Sequence, residues 1–145
     1  MSDFRQLSDS VFASPQIDED DIAAAKDLGV GLIVNNRPDG EEPSAPQGEE
    51  IEAAARAAGM DYVAIPIGHG SFSHVQVDEM IAVMQNADGA TLAYCRSGTR
   101  STLLWALAQA RTGESPESIA SAAAKAGYDI SPIRAMVDML AGQAS

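Results

Sequence analysis

The chain has 145 residues, enough for one domain with a sizeable core and too few for two. Nine Lys plus Arg stand against twenty-one Asp plus Glu, and the formal net charge of -12 argues against nucleic acid or an anionic membrane as partner. Apolar residues make up 46%, no apolar run approaches the roughly 18 residues of a membrane span, and one cysteine leaves neither an internal disulfide nor a multi-thiolate metal site.

The amino terminus, MSDFRQLSDS, lacks a basic head followed by an apolar stretch, so a cytoplasmic protein is expected. Val11 to Ala13 is the first strand candidate, ended by Ser14-Pro15. Asp18 then caps a helix whose acidic first turn, Glu19 to Asp21, complements the positive end of the helix dipole; it closes near Leu28 with Gly29 as stop. Val30 to Val34 is almost wholly apolar, the pattern of a strand covered on both faces, with Asn35, Asn36 and Arg37 as its polar exit. The Pro-, Gly- and Glu-rich stretch Pro38 to Gly48 reads as a solvated loop, including its Glu41-Glu42 pair. A helix from Glu49 to Ala58, closed by Gly59, feeds a strand over Tyr62 to Ile65 that ends at Pro66. After the loop IGHGSFSHV, Gln76 to Gln85 is a one-sided helix, and Ala90 to Tyr94 a central strand. Cys95 to Thr99 is a tight polar loop, Ser101 to Ala110 a strongly apolar helix, and Pro116 to Ala126 and Pro132 to Ala141 are two more helices opened by prolines.

Strands and helices alternate at this spacing in a three-layer α/β domain. The expected sheet is mostly parallel, with about four strands flanked by helices, in a single domain over residues 1–145. Such sheets gather their ligand loops at the carboxyl ends of the strands, here after Val34, Ile65 and Tyr94.

The segment YCRSGTRS joins a buried strand directly to a helix. A loop turning through Gly98 aims successive N–H groups inward, and the first-turn amides of the helix add a positive dipole end, so Arg96, Ser97, Gly98 and Thr99 form an anion nest with Cys95 at its rim. That field favours thiolate over thiol. Arg100, folded inward, adds a planar fork for an oxyanion. Ser101 either donates to the sulfur or holds the loop, and Arg96 either draws the substrate or faces solvent.

CRSGTRS resembles the active loop of rhodanese-type sulfurtransferases and, more loosely, the phosphate loop of cysteine-dependent phosphatases. With FRQLSDSVFASPQI, VNNRPDGEE, DYVAIPI and YCRSGTRS together, the chain is similar to the phosphatase-like domain family of beta-lactamase-hydrolase-like proteins. That resemblance implies a cysteine-phosphatase-like fold with Cys95 as nucleophile and Arg100 as oxyanion clamp.

Two departures bear on the reaction. Only four residues separate Cys95 from Arg100 where cysteine phosphatases have five, so fewer amides encircle the anion. The segment IPIGHG resembles the phosphatase acid loop but places Gly68 where the carboxylic acid belongs, and a missing general acid is worth about 10²- to 10⁴-fold in rate. Both favour sulfur transfer: Cys95 takes the outer sulfur of thiosulfate or a small persulfide and passes it to a thiol acceptor. The alternatives are phosphate-monoester hydrolysis through a phosphocysteine, and a non-catalytic oxyanion-binding module. His69 is a candidate acid or rim donor, Arg37 a candidate rim donor, and Asp39 a candidate acid that also suits an Asp-Gly turn. His69 and His74 lack a compact metal-ligand set, and the loop has neither a dinucleotide fingerprint nor a Walker lysine, so no metal or cofactor is expected. The expected partners are a small anionic or persulfide substrate and a thiol acceptor.

Overall fold

The computed structural model describes residues 2–68 and 72–144. Its centre is strand β5 (Ala90–Tyr94), flanked in parallel by β2 (Val11–Ser14) and β3 (Val30–Asn35). Strand β4 (Asp61–Ala64) continues the parallel sheet beyond β3, and β1 (Arg5–Ser8) adds an antiparallel edge beside β2, giving the order β1-β2-β5-β3-β4. The sheet therefore has five strands, one more than the periodicity predicts. The extra strand, RQLS, buries only Leu7, and so short an edge segment carries no apolar run by which to find it.

Side chains of the inner strands alternate between two cores, as a period of two requires. Ile33 and Leu92 face one core with Ile22 and Ala25 of α1 (Glu19–Asp27) and Ile51 and Ala55 of α2 (Gly48–Ala57). Leu32, Val34 and Ala93 face the other, which holds α3 (His74–Asn86), α4 (Thr99–Arg111), α5 (Pro116–Lys125) and, after a short 3-10 turn at Ser131–Ile133, α6 (Arg134–Ala144). Helix α4 is buried from Ser101 through Ala108 because α3, α5 and α6 all pack on it while the sheet lies beneath. An all-round apolar sequence is what that position demands. The helix starts at Thr99 and α3 at His74, each two residues earlier than the sequence suggests; a Ser73–Gln76 capping box sets the latter.

The chain leaves β2 and β3 toward the face of α1 and α2, and leaves β5 toward the face of α4. Connections that part to opposite faces open a crevice at the carboxyl ends of adjacent strands, which is where the cysteine loop lies.

Gly31 sits at the break in β3–β5 register between Val30 and Leu32, and a Cβ built there would stand 1.7 Å from the Asp88 carbonyl oxygen. Backbone cannot yield as a flexible side chain does. Gly31→Ala is expected to lower unfolding free energy by about 2–3 kcal/mol in a denaturant titration followed by Trp105 fluorescence, and an unchanged midpoint would contradict this account of the bulge.

Candidate functional site

Cys95 continues β5 by one residue, its N–H donating to the Ser14 carbonyl at 3.3 Å. Its side chain is fully buried, so the sulfur lies on the floor of the loop and not at the rim expected from sequence. Gly98 makes the turn with φ +89°, a left-handed conformation that L side chains rarely adopt, and serves as N-cap of α4. Its N–H donates to Cys95 Sγ at 3.1 Å. Its carbonyl accepts from the Thr102 N–H at 3.0 Å and from Thr102 Oγ1 at 2.9 Å, fixing the same residue from the helix side.

Arg100, in the first turn of α4, folds back over the sulfur side of the loop. Nη1 donates to Glu41 Oε2 at 2.8 Å and to the Ile67 carbonyl at 2.9 Å, and Nη2 donates to Glu41 Oε1 at 2.8 Å. A guanidinium has five N–H donors. Three are engaged in this way, and the group also interacts with Cys95. Hydrogen bonding to Glu41, with the interaction with Cys95 adding to it, holds Arg100 above its ordinary value against the opposing effect of burial.

Glu41 Oε1 also accepts from Arg37 Nε at 2.9 Å, so one carboxylate joins two arginines. The Arg100 and Arg37 hydrogen bonds pull its pKa from 4.5 to about 2, outweighing desolvation. Arg37 is buried, and its Nη1 donates to Gln16 Oε1 at 2.8 Å, while the Gln16 N–H reaches the Arg96 carbonyl at 3.2 Å. The polar strand exit also braces the backbone: Asn36 N–H donates to the Tyr94 carbonyl at 2.8 Å, and Asn36 Nδ2 to the Ile65 carbonyl at 2.9 Å. The loops following β2, β3, β4 and β5 are thereby tied to one another.

The other sequence-predicted residues are placed differently. Arg96, Ser97 and Thr99 are exposed; Ser97 Oγ donates to Thr99 Oγ1 at 2.9 Å and accepts the Thr99 N–H at 3.3 Å. Ser101 is fully buried, yet its Oγ has no hydrogen-bond partner among the described residues, and no bond to the sulfur is formed. Asp39 accepts the Gly48 N–H at 2.8 Å and so caps α2, whose N-cap Gln47 makes no side-chain capping bond. His69 lies outside the described residues, and His74 Nδ1 lies 3.0 Å from Arg111 Nη1 at the exposed start of α3. Among the described residues no group of three His, Cys, Asp or Glu side chains is gathered to hold a metal.

Two residues escape the sequence reading. Glu41, read as half of a solvated pair, keeps only 17% side-chain exposure, whereas Glu42 keeps 46%. Tyr128, beyond α5, donates through its hydroxyl to the Ser97 carbonyl at 3.0 Å.

The family described as beta-lactamase hydrolase-like protein, phosphatase-like domain, matches residues 3–112. The chain belongs to that family. It is 39% identical over 85 residues to a beta-lactamase hydrolase-like protein of Agrobacterium fabrum, covering 59% of this chain and 20% of that protein. It is 32% identical over 107 residues to the protein of that description from Xylella fastidiosa, covering 74% and 25%. This phosphatase-like member thus spans a quarter or less of the curated relatives it matches. Among solved structures, a candidate phosphatase from Neisseria meningitidis superposes with a TM-score of 0.85 at 29% identity, over 95% of this chain and 98% of that one. Tk-PTP in its active form superposes with a TM-score of 0.74 at 18% identity over 97% of each chain, a likeness of fold. The expected cysteine-phosphatase-like α/β fold is the one observed.

Glu41 is ionised in the folded protein down to about pH 2, whereas an ordinary glutamate takes up its proton near 4.5. A depressed carboxylate contributes stability that is complete above the unfolded value and is lost as pH falls through the folded one. Acid denaturation of the wild type is therefore expected to steepen between about pH 4.5 and 2 relative to Glu41→Gln, which is less stable at neutral pH. Parallel stability–pH curves for the two proteins in that window would show that the pair carries no such linkage.

Proposed function

We propose that this chain is a cysteine-dependent phosphatase that hydrolyses a phosphate monoester through a phosphocysteine intermediate at Cys95. The observation that carries the reading is the pairing of a loop N–H on Cys95 Sγ with an arginine fork held beside the same sulfur by Glu41. Membership of a phosphatase-like family and the fold likeness to phosphatases support it over the sulfurtransferase reading that the four-residue spacing favours.

In this mechanism the Cys95 thiolate attacks phosphorus, the S–P bond forms, and the ester P–O bond breaks with departure of the alcohol or phenol oxygen. Water then attacks the phosphocysteine, the P–S bond breaks, and inorganic phosphate leaves with the thiolate restored. Arg100 and the amides opening α4 hold the equatorial oxygens while charge builds on them. The buried sulfur requires the groups covering it to move before phosphorus reaches it.

Proton donation to the leaving oxygen limits the substrate class. Glu41 is ionised at neutral pH, and the Asp39 carboxylate is occupied by the Gly48 N–H. Among the described residues no carboxylic acid is poised beside the sulfur, and such a site works best on esters whose leaving oxygen needs no proton. Aryl phosphates are thus expected to be cleaved faster than alkyl phosphates by more than their difference in solution, a comparison made with p-nitrophenyl phosphate and a simple alkyl phosphate.

Cys95→Ser is expected to lose about 10³-fold or more of aryl phosphatase turnover while keeping its fold. Arg100→Lys, which keeps the charge but not the planar fork, is expected to lose about 10²-fold. Intact mass after rapid quench is expected to show a phosphoryl adduct on the wild type. A sulfur adduct after thiosulfate, with none after the aryl phosphate, would transfer the assignment to sulfur transfer, and turnover surviving in Cys95→Ser would end both.

A further inference from the structure

The peptide unit between Ser97 and Gly98 is bonded at both ends. Its N–H donates to Cys95 Sγ at 3.1 Å, and its carbonyl accepts from the Tyr128 hydroxyl at 3.0 Å. In a planar trans peptide the two groups point in opposite directions, so fixing the carbonyl fixes where the N–H points. Glycine at 98 leaves that plane free to rotate, because a residue without a side chain has access to several backbone basins. Tyr128 removes that freedom. It also sits where a side chain on residue 98 would be: a Cβ at Gly98 would lie 2.1 Å from the Tyr128 hydroxyl oxygen.

Tyr128 is itself held firmly. Gly127, with φ +92°, turns the chain out of α5, and the Tyr128 N–H bonds back to the Ala123 carbonyl at 2.9 Å. Arg5 of β1 lies 5.0 Å from the centre of the Tyr128 ring and donates to the Ala126 carbonyl at 3.3 Å, so the edge strand braces the tyrosine from behind. Burial raises the Tyr128 hydroxyl above its ordinary value, which keeps it protonated and a donor at neutral pH.

The geometry points to Tyr128 as a positioning residue that orients the Ser97–Gly98 peptide so that its N–H stabilises the ionised sulfur of Cys95. An O–H bond to the carbonyl also polarises the amide and strengthens the N–H as a donor. Tyr128 lies outside residues 3–112, and its hydrogen bond reaches the sulfur through the peptide it holds. The inference rests on Cys95 as the nucleophile and is independent of whether phosphorus or sulfur is attacked.

The test is the pH dependence of Cys95 alkylation by iodoacetamide, which needs no substrate, and Cys95 is the only thiol in the chain. In Tyr128→Phe the alkylation midpoint is expected to rise by about half a pH unit. The kcat for p-nitrophenyl phosphate is expected to fall about fivefold, with KM changing less than kcat. A purely structural role would lower the unfolding midpoint and leave the alkylation midpoint in place, and that result overturns the proposal. Tyr128→3-fluorotyrosine keeps the shape and makes the hydroxyl a stronger donor, so its alkylation midpoint is expected to move downward; an upward or absent shift also overturns it. Should the wild type show no phosphatase activity, the functional reading falls while the two alkylation shifts still decide the role of Tyr128.

Discussion

A single carboxylate shared by two arginines sets the geometry at the carboxyl end of this sheet. Glu41 receives both Nη atoms of Arg100 and the Nε of Arg37, and through them it fastens the segment following β3 to the turn following β5. Arg37 extends the link to Gln16 after β2, and Arg100 extends it to Ile67 after β4. Burying these charges is costly, and removing one partner would strand the others in a poorly solvated place. In a chain of net charge -12 an acidic residue is ordinarily unremarkable surface, and this one differs because its location makes it the counter-charge of Arg37 and Arg100 beside the cysteine loop.

Arginine orientation in turn determines what the cysteine loop can do. A guanidinium free to rotate presents its fork wherever solvent allows, whereas one held at Nη1 and Nη2 presents a constant remaining edge. The one-residue shortening of the loop relative to cysteine phosphatases counts for less than the spacing suggests, because donors are supplied by tertiary structure as well as by the loop's own amides. Cys95 has an N–H partner at Gly98 and a cationic neighbour in Arg100 despite the shorter arc.

Much of the fold was legible because its signals are local. The apolar run from Val30 to Val34, the Asp18 cap with its acidic turn, and the wholly apolar helix after the cysteine loop each carry a pattern that only one structure satisfies. The cysteine loop itself was legible for the same reason, since Cys95, Gly98 and Arg100 lie within six residues. Strand β1 was not, because edge pairing is made by backbone and RQLS has one buried side chain. Glu41 and Tyr128 were not, because they lie 59 residues before Arg100 and 31 residues after Ser97, and nothing nearby in sequence distinguishes them from solvated neighbours. Asp39 was read as either acid or turn, and the structure gives it to the start of α2.

The all-round burial of α4 bears on how the protein can be cut. The family match ends at residue 112, one position after that helix, yet Ile119, Ala123, Val137 and Leu140 from α5 and α6 complete the core around it. A fragment trimmed to the matched segment would bare a stripe of leucine, alanine and tryptophan to water and would lose the tyrosine that steadies the cysteine turn. Such a piece is prone to self-association. The last thirty or so residues are thus an integral wall of the domain, and any version joined to another protein must carry them whole.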